Sequence, residues 1–126
     1  MEDKAEKKYD LEERTFLFSK NIRLFIKRLS KSASNSEDSI QLIRSSGSIG
    51  ANYLEANGNL GPKDLIMRIK ICRKESKESK YWLRLMEIED NQTLENERGF
   101  LVKECQELIL IFGAIINKLE SKETVK

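Results

Sequence analysis

Three carboxylates, Glu55, Glu75 and Glu78, are the residues of this chain whose type and spacing come nearest to chemistry. Acids on facing helices can share a proton or hold two metal ions, but a helical di-metal site wants its glutamates backed by Glu-x-x-His repeats. The chain has no histidine, so that repeat cannot be written. The same gap removes the general base that serine or cysteine nucleophiles use in the common triads and dyads, and it leaves the usual zinc ligand sets out of reach. No Gly-x-Gly-x-x-Gly run and no phosphate-loop pattern is present, which gives nucleotide binding no support. Catalytic residues, metal ligands, cofactors and a small-molecule substrate are therefore all expected to be absent, and the acids are expected to pair with neighbouring Lys and Arg.

Charge geometry is more informative. Lys63, Lys70, Lys77 and Arg84 recur every seventh residue, and Arg73, Lys74 and Lys80 flank them. At roughly 100° per residue this spacing lays a continuous basic stripe along one side of a helix. Such a row can meet successive phosphates of RNA or DNA, gaining affinity from counterion release without sequence preference. A solvated outer face, or a surface that meets an acidic helix of a second subunit, accounts for the same stripe. The net charge of +2 conceals the asymmetry. Residues 11–31 and 61–84 are rich in Lys and Arg, whereas residues 85–126 carry Glu87, Glu89, Asp90, Glu95, Glu97, Glu104, Glu107, Glu120 and Glu123.

These side chains must be positioned by helices. Four helices are expected, over about 9–32, 36–58, 62–89 and 94–121, and three of them carry a 4-3 spacing of apolar and small residues. The first gathers Leu11, Phe18, Ile22, Phe25 and Leu29 on one face. The third gathers Leu65, Ile69, Cys72, Ser76, Ser79, Leu83 and Met86, and the fourth Leu101, Cys105, Leu108, Phe112, Ile115 and Leu119. The second places Gly47 and Gly50 in its middle, where each costs about 1 kcal/mol relative to alanine. Close packing on a neighbouring helix, with Ile40, Ile43, Ile49 and Leu54 as apolar contacts, would repay that loss; a break near Gly47 is the competing expectation. Off the main seams lie Met67, Ile71 and Trp82 on the third helix and Val102, Ile109 and Ile116 on the fourth. This surplus implies self-association or a protein partner, unless the core stripe is simply wider.

Asn35 or Ser36 and Asn91 or Thr93 are the expected caps, and Pro62 suits a first helical position. Short connections make sequential helices antiparallel, so the fold class expected is all-α, a single-domain up-down-up-down four-helix bundle. Residues 1–8 and 121–126 lack an apolar pattern and are expected to fray. With 126 residues, 39% hydrophobic and 35% charged, the chain can enclose one modest core. No run approaches the roughly 20 apolar residues of a membrane span, and the charged opening MEDKAEKKYD lacks the apolar segment of a signal peptide, so the expected compartment is the cytoplasm. Cys72 and Cys105, the two cysteines, read as small core residues.

Two stretches carry a family resemblance. RSSGSIGANYLEAN (44–57) resembles an Arg-Ser-x-x-Ser-Ile-x-Ala-Asn-x-x-Glu signature at Arg44, Ser45, Ser48, Ile49, Ala51, Asn52 and Glu55, and ICRKESKESKYWLRL (71–85) resembles a second at Lys74, Glu75, Glu78, Tyr81, Trp82 and Leu83. Both are similar to the bacterial four-helix-bundle proteins, also called 23S rRNA intervening-sequence proteins. The resemblance implies a homopentamer with no established biochemical activity, and it assigns Arg44, Asn52, Glu55, Glu75 and Glu78 to polar contacts between helices. That family is similar in turn to accessory proteins of diversity-generating retroelements, which bind nucleic acid and a reverse transcriptase; the acidic fourth segment makes this chain less basic than those. The function expected is a non-enzymatic oligomeric binding protein for RNA or DNA, the alternative being a protein-interaction scaffold.

Overall fold

The structure, a computed structural model, describes residues 4–125, with side chains from residue 11 to residue 122. Each seam becomes one helix: α1 (Lys4–Arg28), α2 (Ala33–Asn57), α3 (Pro62–Leu85) and α4 (Gln92–Val125). No strand occurs among the described residues. α1 packs on α2, α2 on α3, α3 on α4, and α4 returns to α1, while the backbones of the diagonal pairs stay apart and only core side chains meet across the centre, as Tyr53 of α2 does with Phe112 of α4 at 6.1 Å between ring centroids. With connections of a few residues, this cyclic order is the up-down-up-down four-helix bundle. None of the helices is long and apolar enough to cross a membrane.

The core follows the seams closely. Leu11, Phe18, Ile22 and Phe25 from α1 meet Ile69, Cys72 and Leu83 from α3 and Leu101, Cys105, Leu108 and Phe112 from α4 in one buried cluster. Thr15 completes the α1 seam; it is buried, and its hydroxyl donates back to the carbonyls of Leu11 and Glu12, both at 3.0 Å. Ile116 is only 5% exposed and belongs to the core, whereas Ile115 is partly buried beside it.

α2 is continuous through Gly47, so the break does not occur. Its apolar assignment needs correction, because Ile40 and Leu54 point outward, and the buried side comprises Ser39, Leu42, Ser45, Ser46, Ile49, Tyr53 and Ala56. Small residues serve two neighbours. Towards α1, a Cβ on Gly50 would stand 3.2 Å from the Thr15 Oγ1. Towards α3, the Ser45 and Ser79 hydroxyls meet at 2.8 Å, and the Cys72 thiol donates to the Ile49 carbonyl at 3.4 Å. Glycine and serine let the backbones approach until these short groups touch.

The helix ends also move. Ser32, not Asn35 or Ser36, caps α2, its hydroxyl accepting from the Asn35 amide at 3.1 Å. Asn35 is buried and joins two loops: its side-chain amide donates to the carbonyls of Ser30 and Glu87, each at 3.0 Å, and its oxygen accepts from the Glu87 amide at 2.8 Å. By capturing the backbone of Glu87, it accompanies the end of α3 at Leu85, short of the expected 89. Arg98 completes that ending by donating to the freed Met86 carbonyl at 2.5 Å. Asn91 caps α4, accepting from the Leu94 amide at 3.0 Å. Of the ends expected to fray, residues 4–8 and 121–125 are helical, and 1–3 and 126 lie outside the described residues.

Candidate nucleic-acid interface

Because Ile69, Cys72, Ser76, Ser79 and Leu83 turn α3 inward, the helix must present the opposite arc to solvent. Lys63, Lys70, Arg73, Lys74, Lys77 and Arg84 are all exposed on that arc, and Lys80 is half-buried at its edge. At 1.5 Å rise per residue, Lys63 and Arg84 stand about 32 Å apart along the axis. Lys80 is turned towards α4 and donates to the Gln106 side chain at 2.7 Å. Arg73 also lies over α4, its Nε 3.9 Å from where a Cβ on Gly113 would stand. Lys70 pairs with Glu120 at 2.9 Å, both side chains about half exposed. Lys63, Arg73, Lys74, Lys77 and Arg84 form no ion pair among the described residues.

Two shallow depressions run along this face. One, of about 820 Å³, has Ile66, Met67 and Ile71 as its apolar floor and Lys63, Lys70 and Lys74 on its rim. The second, of about 640 Å³, lies between α3 and α4 and is lined by Arg73, Lys77, Glu78 and Asn117. Both are open clefts rather than enclosed ligand sites, and Glu120 lines each of them beside the cations.

Three acids of α4 are engaged by α1. Arg14 of α1 forks onto Glu104 at 2.6 and 2.9 Å and reaches Glu107 at 2.7 Å, and Arg28 pairs with Glu97. The Glu104 carboxylate, outweighing the cost of partial burial and helped by Glu107, drives the Arg14 pKa upward. These α1–α4 pairs were not legible in the sequence beyond Arg14 and Arg28 standing two heptads apart. They spend much of the α4 acidity on α1, so the cations of α3 keep their excess.

The other candidate groups separate. Glu75 is half-buried; burial, then the neighbouring Glu78, raises its pKa against the opposing pull of Lys74 and a hydrogen bond from Ser48. Asn52 accepts from Arg68 at 3.0 Å across α2 and α3, a polar contact between helices, whereas the side chains of Arg44 and Glu55 are exposed and make no hydrogen bond to another described residue. Arg68 keeps its Nε buried without a hydrogen bond, 3.5 Å from the Asp64 carboxylate, an ion-pair distance only. No trio of Cys, Asp and Glu is placed to hold a metal among the described residues. Burial pushes both thiols, Cys72 and Cys105, up to about 12, which leaves them protonated and unreactive at neutral pH.

The six apolar residues assigned to an interface do not share one surface. Met67 is 47% exposed, Ile71 and Ile109 are half-buried, Trp82 and Val102 pack against the core, and Ile116 is inside it. For Trp82, Val102 and Ile116 the wider core stripe is the correct description. Phe100 and Leu110 are the most exposed large apolar residues of α4 although both stand in apolar runs, Phe100 before Leu101 and Val102 and Leu110 between Ile109 and Ile111.

Four short-looped helices around one buried core define an all-α bundle. Residues 7–113 match the 23S rRNA-intervening sequence protein family, and the chain belongs to it. A crystal structure of a protein of unknown function from the S23 ribosomal protein family of Bacteroides thetaiotaomicron VPI-5482 is similar, with a TM-score of 0.73 and 27% identity over 88% of this chain and 98% of that one. No curated protein matches.

Proposed function

We propose that this protein is a non-enzymatic, homo-oligomeric binding protein of the cytoplasm that holds RNA or DNA by the phosphate backbone along α3. The observation that carries this reading is the row of exposed cations, Lys63, Lys74, Lys77 and Arg84 with Arg73, which form no ion pair among the described residues and outnumber the acids beside them, Glu75, Glu78 and Glu120, while α1 takes up acids of α4. Lys70 and Lys80 join by exchanging Glu120 and Gln106 for phosphate. Met67 and Ile71 remain available for assembly, with the pentamer of the family resemblance as the proposed state.

Titration of labelled RNA and duplex DNA at several salt concentrations tests it. Four phosphates met by Lys63, Lys70, Lys77 and Arg84 give a slope of about −3.6 in log K against log salt on duplex DNA. Lys77→Glu lowers affinity for every sequence alike and flattens the slope; absence of binding at low salt eliminates the proposal.

Tyr81 and Leu85, exposed on the same arc, favour a second use, the docking of a polypeptide. Nuclease-treated pull-downs separate the two, since a protein partner survives the treatment and one bridged by nucleic acid does not.

A further inference from the structure

On the basic arc of α3 one aromatic ring stands among the cations. Tyr81 is 55% exposed, and the helix sets Lys77 one turn before it and Arg84 one turn after it, with Lys74 a further turn back, all exposed. Lys77 and Arg84 are about 10 Å apart along the axis, and the ring lies between them. Trp82, packed against the core, meets that ring edge-on, with centroids 5.0 Å apart and planes at 77°. Tyr81 is thus steadied from inside the bundle while more than half of it faces solvent. Leu85, 45% exposed one turn on, adds apolar surface to one side. Glu78 is the only acid of α3 within a turn of the ring.

An aromatic ring between two cations matches a nucleotide strand whose bases are unpaired, because each nucleotide brings both a phosphate and a flat base face. A duplex brings the phosphates but keeps its base faces stacked on one another, so an exposed ring gains little from it. A polypeptide laid over Tyr81 would have to strip water from Lys77 and Arg84, a cost recovered only if it carried an acid for each.

We propose that this face takes unpaired RNA or DNA in preference to duplex, with one base stacked on Tyr81 and the neighbouring phosphates held by Lys77 and Arg84. The proposal rests on the phosphate-binding reading of the same stripe and adds to it the state of the strand. Stacking releases no counterions, so the ring contributes affinity without contributing to the salt dependence.

The full chain is titrated with labelled single-stranded and duplex oligonucleotides of one sequence and equal length, at several salt concentrations. The single strand binds more tightly. Tyr81→Ser weakens it by about 5- to 100-fold and leaves the slope of log K against log salt unchanged, the loss of one base stack. Tyr81→Phe retains the affinity, duplex binding responds to neither variant, and Lys77→Glu lowers both and flattens the slope. Circular dichroism of the variants keeps the helical signal, and an iodouracil-substituted strand cross-links to Tyr81 on irradiation. Single-strand binding indifferent to Tyr81→Ser, or a loss shared equally by the duplex, overturns this proposal and leaves the phosphate reading standing. Absence of binding by either form at low salt removes both.

Discussion

Single residues are where the close packing is most readily measured. Gly99 and Gly50 both sit inside helices and both forgo the propensity of alanine, about 1 kcal/mol, but their surroundings differ. A Cβ on Gly99 would meet nothing within 4 Å, so Gly99→Ala should stabilise the chain by about 0.5–1 kcal/mol. On Gly50 it would stand 3.2 Å from the Oγ1 of Thr15, a buried residue whose hydroxyl is held by two carbonyls, so Gly50→Ala should show no gain or a net loss. Urea denaturation of the two variants compares them directly. Glu75 supplies a pH test. Its folded pKa is raised, so the fold favours the neutral carboxyl; the associated stability is present below the ordinary carboxylate pKa and is lost as pH rises through the folded value. Glu75→Gln should therefore melt higher than the wild type at neutral pH, with the difference closing as pH falls below the ordinary carboxylate range.

At the scale of the element, α2 is the instructive helix. The sequence seams of α1, α3 and α4 were legible because large apolar residues recur at heptad spacing, and α3 buries Ile69, Cys72, Ser76, Ser79 and Leu83 as that spacing predicts. α2 was read correctly as a tight-packing helix and incorrectly in its apolar side, because Ile40 and Leu54 are large yet exposed while serines fill the interior. Hydropathy cannot mark a face whose contacts are made by backbone proximity. The Ser45–Ser79 contact sets the separation of α2 and α3. Ser79→Ala removes one buried hydrogen bond and should cost about 1 kcal/mol. Ser79→Leu forces the helices apart and should cost more, about 1–3 kcal/mol or beyond. Denaturant midpoints of the two variants give that order; a leucine variant as stable as the alanine one would show that the seam has slack.

For the whole molecule, the candidate interface was legible as far as it depended on one helix. Heptad spacing alone placed Lys63, Lys70, Lys77 and Arg84 on a common arc, and all are exposed there. What depended on two helices was hidden: Lys80 and Arg73 lean onto α4, and the α1 arginines occupy its acids. The charge asymmetry along the chain was visible from composition, but which acids remained to oppose α3 was decided by tertiary pairing.

The Asn35 clasp makes the two ends of the molecule unequal. It ties the connection after α1 to the connection after α3, whereas at the far end Leu60, 94% exposed, sits in a turn between α2 and α3 whose hydrogen bonds, through Asn59 and Asp64, are all local. Brief protease treatment of the native chain should accordingly nick first at that turn, leaving two fragments that stay associated. Asn35→Ala, by stranding the Glu87 amide and the carbonyls it served, should open a second cleavage point near residues 86–91 and let the halves of the bundle part.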